Sequence, residues 1–236
     1  MQIFWRLMLG HMLADFTFQT NWINHVKRTS VWGMLLHCVM HPIFYVALTF
    51  PYLKDVWIKT PYVQLQGWAC ILIIFATHFI EDEWRVTTIF KYKIPDNTLY
   101  FFWDQIIHYV VIFAVIPSST LTGNGALFPE KWAVLGCLFV AVTHACTVLV
   151  YFIEKDLYGI EFPGFDEKYL AMAERLVLAL CFLVPKGGWL LLAPAWLGGM
   201  YLLRKKRLLD LSWFSYWLGA GVAVVCGLAA RYVIYS

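Results

Sequence analysis

The stretch LGHMLADFTFQ, residues 9–19, places a histidine, an aspartate and a glutamine inside an apolar run. His11, Asp15 and Gln19 are four residues apart, so on a helix they share one face. The residues around them have the composition of a membrane span. A carboxylate at that position is costly unless its charge is compensated, so the fold has to provide a partner for Asp15.

The composition of the whole chain is that of a polytopic membrane protein. Its 236 residues are 61% hydrophobic and 14% charged, whereas a soluble domain has about 25% charged residues. Mean hydropathy is +0.66. The net charge is only +3, and no basic strip interleaved with aromatic residues is present. We therefore expect membrane lipid, and not nucleic acid, as the partner of this protein.

Eight segments have the length and apolar character of transmembrane helices, which need about 20 mostly apolar residues. We predict spans at roughly 2–23, 31–52, 66–84, 99–117, 131–153, 168–184, 187–203 and 211–234. The two segments within 168–203 are short and are joined by LVPKGGW. The predicted fold is a single all-α transmembrane domain over residues 1–236.

Lysines and arginines indicate the orientation of these spans. The loops after spans one, three, five and seven hold more of them than the opposite loops, and RKKR at 204–207 is the densest run. The positive-inside rule places these loops in the cytoplasm. We therefore predict a multi-pass protein of the bacterial cytoplasmic (inner) membrane with both termini outside.

Four of the predicted spans carry polar side chains spaced four residues apart. The pairs are His11 with Asp15, His37 with His41, His78 with Asp82, and Asp104 with His108. Residues 11–41 and 78–108 superimpose with an offset of 67. We interpret the hairpins 9–52 and 66–117 as a duplication, related by an axis along the membrane normal.

A third, decayed copy of the hairpin is suggested over residues 131–184. His144 and Glu174 are 30 residues apart, as are His78 and His108. Two matched positions can also arise by chance, so this copy stays an open interpretation. The C-terminal hairpin, 187–234, has no counterpart in the repeat.

The eight paired side chains are candidate metal ligands. An unpaired aspartate at the centre of a span costs roughly 2.5–3.5 kcal/mol, and a bound cation would offset its charge. Imidazole and carboxylate are the usual ligands of zinc, iron and manganese. Helix bundles build such sites from paired ligands on facing helices. Eight ligands exceed what one ion needs, so we predict two divalent ions.

Further polar residues are candidates for supporting roles. Those expected to orient the ligands are Gln19, Gln105, His144 and Glu81. Glu81 and Arg85 are also spaced for an ion pair.

Glu174 and Arg175 lie within the sixth predicted span, where charged residues are rarely without a function. Glu174 would be a general base or a ligand, and Arg175 would bind an anionic group such as phosphate. The alternative is a mutual ion pair that closes the bundle.

The same histidines and aspartates are compatible with other functions. Chains of such residues also mark metal-ion or proton pathways in transporters, and Asp–His hydrogen bonds can clamp a bundle. A third possibility is a structural subunit of a larger membrane complex, which the tryptophan-rich composition permits. A haem with two axial histidines is less compatible with this pattern, because the adjacent aspartates would place negative charge in the pocket of the axial ligands.

Five short elements in order resemble a bacterial integral-membrane family of unknown function. They are H-x3-D-F-x2-Q from His11, L-L-H ending at His37, H-F-x2-D from His78, D-Q-x2-H from Asp104 and E-R-L from Glu174. The resemblance covers about residues 9–205 and implies no reaction. From the residues themselves we infer a metal-dependent hydrolase that acts on a lipid or lipid-linked phosphate-type substrate through metal-activated water.

Overall fold

The computed structural model describes residues 2–117, 121, 128–206 and 212–236, and this part of the chain is predominantly helical. Its α-helices are α1 (Gln2–Met12), α2 (Asn21–Thr29), α3 (Val31–Thr49), α4 (Gly67–Phe90), α5 (Thr98–Ala114), α6 (Glu130–Val140), α7 (Cys146–Tyr158), α8 (Phe165–Cys181), α9 (Trp189–Lys205) and α10 (Trp213–Tyr235). Short π-helical segments, Leu13–Thr17 and Ala141–Ala145, continue α1 and join α6 to α7. A turn of 3₁₀-helix, Phe50–Tyr52, follows α3.

A small antiparallel hairpin, which the sequence did not lead us to expect, lies between α3 and α4. It consists of β1 (Val56–Lys59) and β2 (Gln64–Gln66), with Lys59 paired to Gln64 and Val56 to Gln66. The Trp57 indole donates a hydrogen bond of 2.9 Å to the Tyr52 carbonyl. Its ring packs against Gly67, where a Cβ atom would approach to 2.5 Å. The hairpin therefore packs closely against the start of α4.

Each of the eight predicted spans overlaps helix in the described residues, but the first, 2–23, is interrupted at residues 18–20 before α2 begins. Within the described part of the chain, three helical stretches are long and apolar enough to cross a membrane, namely Val31–Tyr52, Glu130–Tyr158 and Trp213–Tyr235. Helix α4 has 24 residues and is long enough to cross a membrane. It is not among these three because it carries three consecutive acids, Glu81, Asp82 and Glu83. The start of the last predicted span, residue 211, and Arg207 of the basic run lie outside the described residues.

The chain divides into two compact units, Met1–Ala133 and Val134–Ser236. In the first unit α3 contacts α1, α2 and α4, and α4 also contacts α5. Its apolar core includes Ile3, Leu7, Tyr45, Trp57, Ile71, Ile74 and Ile112. These residues fill the space between the helices and the β-hairpin.

The second unit is built around the contact between α8 and α10. Its core includes Val142, Leu178, Ala179, Phe182, Ala193, Ala220 and Ala223. Small residues bring the helices close, and at Gly219 a Cβ atom would lie 2.8 Å from Cδ of Arg175.

Helix α2 lies against the start of α3. The Thr20 hydroxyl caps α2 by accepting a hydrogen bond of 3.2 Å from the amide of Ile23. The hydroxyl of Ser30 caps α3 in the same way, at 3.2 Å from the amide of Trp32. A Cβ atom at Gly33 would lie 2.2 Å from the Val26 carbonyl oxygen. Glycine at position 33 is therefore what permits the two helices to approach so closely.

Candidate metal centre

Four helical regions of the first unit direct histidine and carboxylate side chains to one place. His11 and Asp15 come from α1 and the π-helical segment after it, and the other residues come from α3, α4 and α5. The cluster contains His11, Asp15, His37, His41, His78, Glu81, Asp82, Asp104 and His108, all of them buried. A π-helical segment is often found at functional sites, and here it carries Asp15.

One set of ligand atoms is rich in imidazole, and we call it group 1 (Asp15, His37, His41 and His78). One atom from each of these residues lies within 4.8 Å of the others. Oδ1 of Asp15 is 3.3 Å from Nε2 of His37 and 3.2 Å from Nε2 of His41. Nε2 of His78 is 3.9 Å from the same oxygen. Three imidazoles and one carboxylate form a donor set typical of zinc or iron sites.

A second set is rich in carboxylate, and we call it group 2 (Glu81, Asp82, Asp104 and His108). Its ligand atoms also lie within 4.8 Å of one another. Nε2 of His108 is 3.1 Å from Oε2 of Glu81, 3.4 Å from Oδ1 of Asp82 and 3.6 Å from Oδ1 of Asp104. Carboxylate-rich sets favour harder ions such as manganese.

Asp82 connects the two groups through its two oxygens. Oδ1 faces His108 in group 2, as described above. Oδ2 is 3.2 Å from Nε2 of His37 and 3.8 Å from Nε2 of His78, both in group 1. Asp82, His78 and Cys38 also form a third set of candidate ligand atoms. The Asp82 carboxylate therefore lies between the two groups.

Many of these converging atoms have no hydrogen-bond partner among the described residues. They include Oδ1 of Asp15, Nε2 of His41, Nε2 of His78, both carboxylate oxygens of Glu81, Oδ1 of Asp104 and Nε2 of His108. A buried polar atom without a partner costs roughly 1–3 kcal/mol. Atoms that lie 3–4 Å apart without hydrogen-bond geometry are arranged as the ligands around a cation would be.

His11 and Gln105 lie beside the groups. Nε2 of His11 is 3.4 Å from Oδ2 of Asp15 and 3.3 Å from Oε1 of Gln105. The Gln105 amide donates hydrogen bonds of 3.2 Å to Oδ2 of Asp15 and to Oδ2 of Asp104. The structure thus places the predicted ligand His11 outside both groups, and it places Gln105 where its amide can orient a carboxylate of each group.

Two cations contact the centre that our sequence reasoning did not assign to it. Nζ of Lys27, on α2, is 3.3 Å from Oδ2 of Asp82 and 3.5 Å from Nε2 of His37. The Arg85 guanidinium binds Oδ2 of Asp104 at 2.6 Å and Oδ1 of Asp96 at 2.9 Å. From the sequence, we used the basic residues around α2 only to assign loops to the cytoplasm. No local sequence pattern relates Lys27 to Asp82, so the contact could not be predicted.

The ion pair that we expected between Glu81 and Arg85 is replaced by other contacts. Arg85 binds Asp104 and Asp96, while Glu81 faces His108. Four-residue spacing permits a pair on one helix, but α5 brings a carboxylate that meets the guanidinium directly. Glu81, predicted to support the ligands, thereby becomes a member of group 2.

The remaining candidate residues lie elsewhere. Gln19 follows the π-helical segment, and its buried Oε1 has no hydrogen-bond partner among the described residues. His144 belongs to the second unit, where Nδ1 is 3.2 Å from the Thr143 hydroxyl oxygen.

Glu174 and Arg175, also in the second unit, do not pair with each other. The Glu174 carboxylate forms a two-pronged ion pair with Arg204, at 2.6 Å for each oxygen. Arg175 donates to the Thr143 carbonyl at 3.3 Å and to the Thr147 hydroxyl. Arg204, which we counted among the basic residues of a predicted cytoplasmic loop, is buried.

The described residues define a helical protein in which three helices are long and apolar enough to cross a membrane and buried histidine–carboxylate groups could hold a metal ion. Residues 3–135 match the model of the DUF3307 family, described as a protein of unknown function. Because this match covers more than half of the chain, the protein belongs to that family. No curated protein and no solved structure matches the chain.

The family match and the candidate centre occupy the same part of the chain. The match ends at residue 135, and the first compact unit ends at Ala133. Every member of groups 1 and 2 lies within both limits. The centre is therefore contained in the part of the chain that defines its family.

Proposed function

We propose that this protein is a membrane-embedded enzyme with a dinuclear metal centre that hydrolyses a lipid or lipid-linked phosphate-type substrate. The observation that carries the proposal is the convergence of two sets of buried ligand atoms on either side of one carboxylate, Asp82. Carboxylate-bridged pairs of ions about 3.5–4 Å apart are a recurrent arrangement in phosphatases and nucleases.

The charges of the centre support cation binding. Four carboxylates belong to the two groups, and a fifth, Asp96, binds the same arginine as Asp104. They face three cations, Lys27, Arg85 and Arg28. Counted with the imidazoles neutral, the form in which they bind a metal ion, negative charge exceeds positive charge by two. A buried excess of this kind is strongly unfavourable, and a divalent cation removes it.

The chemistry that the ions would supply is activation of water, because a bound divalent ion lowers the pKa of water to near 7. Glu81 is the most exposed member of group 2. Its Oε2 faces Nε2 of His108 at 3.1 Å, whereas Oε1 has no hydrogen-bond partner among the described residues. Glu81 is therefore placed to accept a proton from the attacking water.

The contacts within the centre also support the proposed duplication. The offset of 67 residues that relates the hairpins converts Asp15 and His41 into Asp82 and His108. The corresponding distances between Oδ1 and Nε2 are 3.2 Å and 3.4 Å. Equivalent residues thus form equivalent contacts, as expected if two hairpins descend from one. We also propose that the protein has eight spans and lies in the bacterial inner membrane with both termini outside. The hydropathy of the segments and the charge of the loops support this part of the proposal.

The decisive experiment uses the full chain purified in mild detergent. Elemental analysis should find about two divalent ions per chain, of zinc, iron or manganese. Phosphate release from phosphatidic acid or an isoprenyl diphosphate should be abolished by a chelator and restored by the metal. Glu83→Gln provides a matched control for Asp82→Asn, because Glu83 is the adjacent acid and belongs to neither group.

A transporter would give a different result. It would take up metal ions or protons in sealed vesicles and would release no phosphate in detergent. The metal centre itself is excluded if the purified protein holds no metal and Asp15→Ala and Asp82→Ala both leave folding and activity intact.

A further inference from the structure

The cations of the first unit lie on the more exposed side of the centre. The imidazoles of group 1 are almost completely buried, whereas the Lys27 side chain is 12% exposed and that of Arg85 is 13% exposed. Arg28, which shares Asp96 with Arg85, is 31% exposed. Exposure therefore increases from the histidines toward the cations at α2 and the end of α4.

Lys27 reaches the centre from a helix that is otherwise at the surface. Helix α2 has no buried residue, yet Nζ of Lys27 lies beside Asp82 and His37. The close contact at Gly33 holds α2 against α3. A lysine that served only to keep α2 soluble would point its ammonium group to solvent. The ammonium group of Lys27 instead contacts two candidate ligands.

Metal binding would change the partners of Lys27. Its ammonium lies 3.3 Å from Oδ2 of Asp82 and 3.5 Å from Nε2 of His37, and both are candidate ligand atoms. Like charges a few ångströms apart repel strongly where the dielectric constant is low. A cation bound to the same atoms would displace the ammonium toward the exposed side, where it could bind an anion.

The guanidinium of Arg85 has a geometry that suits a phosphoryl group. It already spans two carboxylates, Asp104 and Asp96, through different nitrogens. A planar fork with several donors matches the oxygens of a phosphoryl group. Two divalent ions would also turn the excess negative charge of the centre into an excess positive charge, which an anionic substrate would offset.

We propose that Lys27 and Arg85 form an anion-binding edge of the centre, which recognises the phosphoryl group of the substrate. This inference rests on the proposed function and deepens it. It assigns to Lys27 and Arg85 the role that the sequence suggested for Arg175, whose guanidinium binds Thr143 and Thr147 in the second unit.

The test is a titration of orthophosphate into the metal-loaded full chain, with metal content measured on the same samples. Lys27→Gln and Arg85→Gln should each weaken phosphate binding at least tenfold and retain the ions. Lys27→Arg keeps the charge and should keep binding within threefold of the wild-type value. Lys91, directly after α4, is an exposed lysine, so Lys91→Gln is the matched control and should behave as wild type.

The outcomes separate the two proposals. If the wild-type protein holds no metal, the proposed function and the anion-binding edge both fail. If metal is present and Lys27→Gln binds phosphate as tightly as wild type, only the edge fails. Loss of the ions from Lys27→Gln would also overturn it, because that result would make Lys27 a support for the ligands.

A second titration identifies the source of the phosphoryl group. Short-chain phosphatidic acid is added in detergent micelles and compared with orthophosphate. Tighter binding of the lipid, with the same dependence on Lys27, supports a lipid headgroup as the ligand. Equal binding supports a soluble phosphate ester, and binding of either that does not depend on Lys27 overturns the edge.

Discussion

Asp82 contributes one carboxylate oxygen to each group of the centre, and this position differs from that of every other acid there. Asp15 contacts the imidazoles of group 1, while Glu81 and Asp104 approach His108. Two carboxylate oxygens can bind two ions at once, whereas a carboxylate in one group serves a single ion. The consequences of removing Asp82 and Asp15 should therefore differ.

We expect Asp82→Asn to reduce the metal content from about two ions per chain to less than one. Asparagine keeps the shape but removes the negative charge that both ions share. Asp15→Asn should leave about one ion, because group 2 remains intact. Mass spectrometry of the elements in the purified proteins measures both. Two ions in Asp82→Asn would show that the carboxylate does not bridge.

Gln105 provides the second prediction at this scale. Its amide donates to Asp15 and Asp104 and contacts His11. We expect Gln105→Leu to weaken metal binding about 10–100-fold, as loss of groups that orient ligands usually does. Competition with a chelator measures the affinity. Gln19→Leu is the control, and an equal effect of that change would contradict the role given to Gln105.

At the scale of helices, three features determine how the centre is assembled. The π-helical segment after α1 changes the direction in which Asp15 points relative to a regular helix. Helix α4 supplies members of both groups from a single face. Helix α2 lies against α3 at Gly33 and brings Lys27 to the ligands. The position of α2 can be tested without changing any charged residue.

We expect Gly33→Ala to weaken phosphate binding as Lys27→Gln does, while the metal content stays unchanged. The new Cβ atom would meet the Val26 carbonyl at 2.2 Å, so α2 must shift and carry Lys27 with it. Such overpacking also costs roughly 1–3 kcal/mol of stability. Phosphate titration and thermal unfolding measure the two effects. Gly221→Ala is the control, since nothing lies within 4 Å of its Cβ position.

At the scale of the whole molecule, the candidate centre and the family match both fall in the first compact unit. The second unit has its own charged contacts, the ion pair of the partly buried Glu174 with the buried Arg204, and the buried guanidinium of Arg175. From the sequence, we expected Glu174 and Arg175 to take part in the metal chemistry. In the structure, both residues are held by contacts within the second unit. We therefore expect their substitution to change the stability of the protein.

We expect Glu174→Gln to destabilise the protein by about 3 kcal/mol, because removing one partner leaves the buried Arg204 charge uncompensated. The metal content per folded chain should not change. Unfolding in mixed detergents and elemental analysis test both statements. Loss of turnover with unchanged stability would instead support the role of general base first inferred for Glu174.

The sequence by itself determined the helical architecture and the identity of most members of the centre. Apolar segments of sufficient length form helices because their backbone polar groups must be satisfied internally. Buried acids and histidines stand out in such segments because their burial is costly. Four-residue spacing placed each pair on one helical face, and the structure brings all eight side chains together in the first unit.

Only the tertiary structure decided how these side chains are divided and what surrounds them. It separates group 1 from group 2, places Asp82 between them, sets His11 beside them and adds Glu81, Lys27 and Arg85. These features depend on the rotation of each helix, the π-helical segment at Asp15 and the approach of α2 at Gly33. Periodicity within one helix contains no information about the distance from its side chains to those of another.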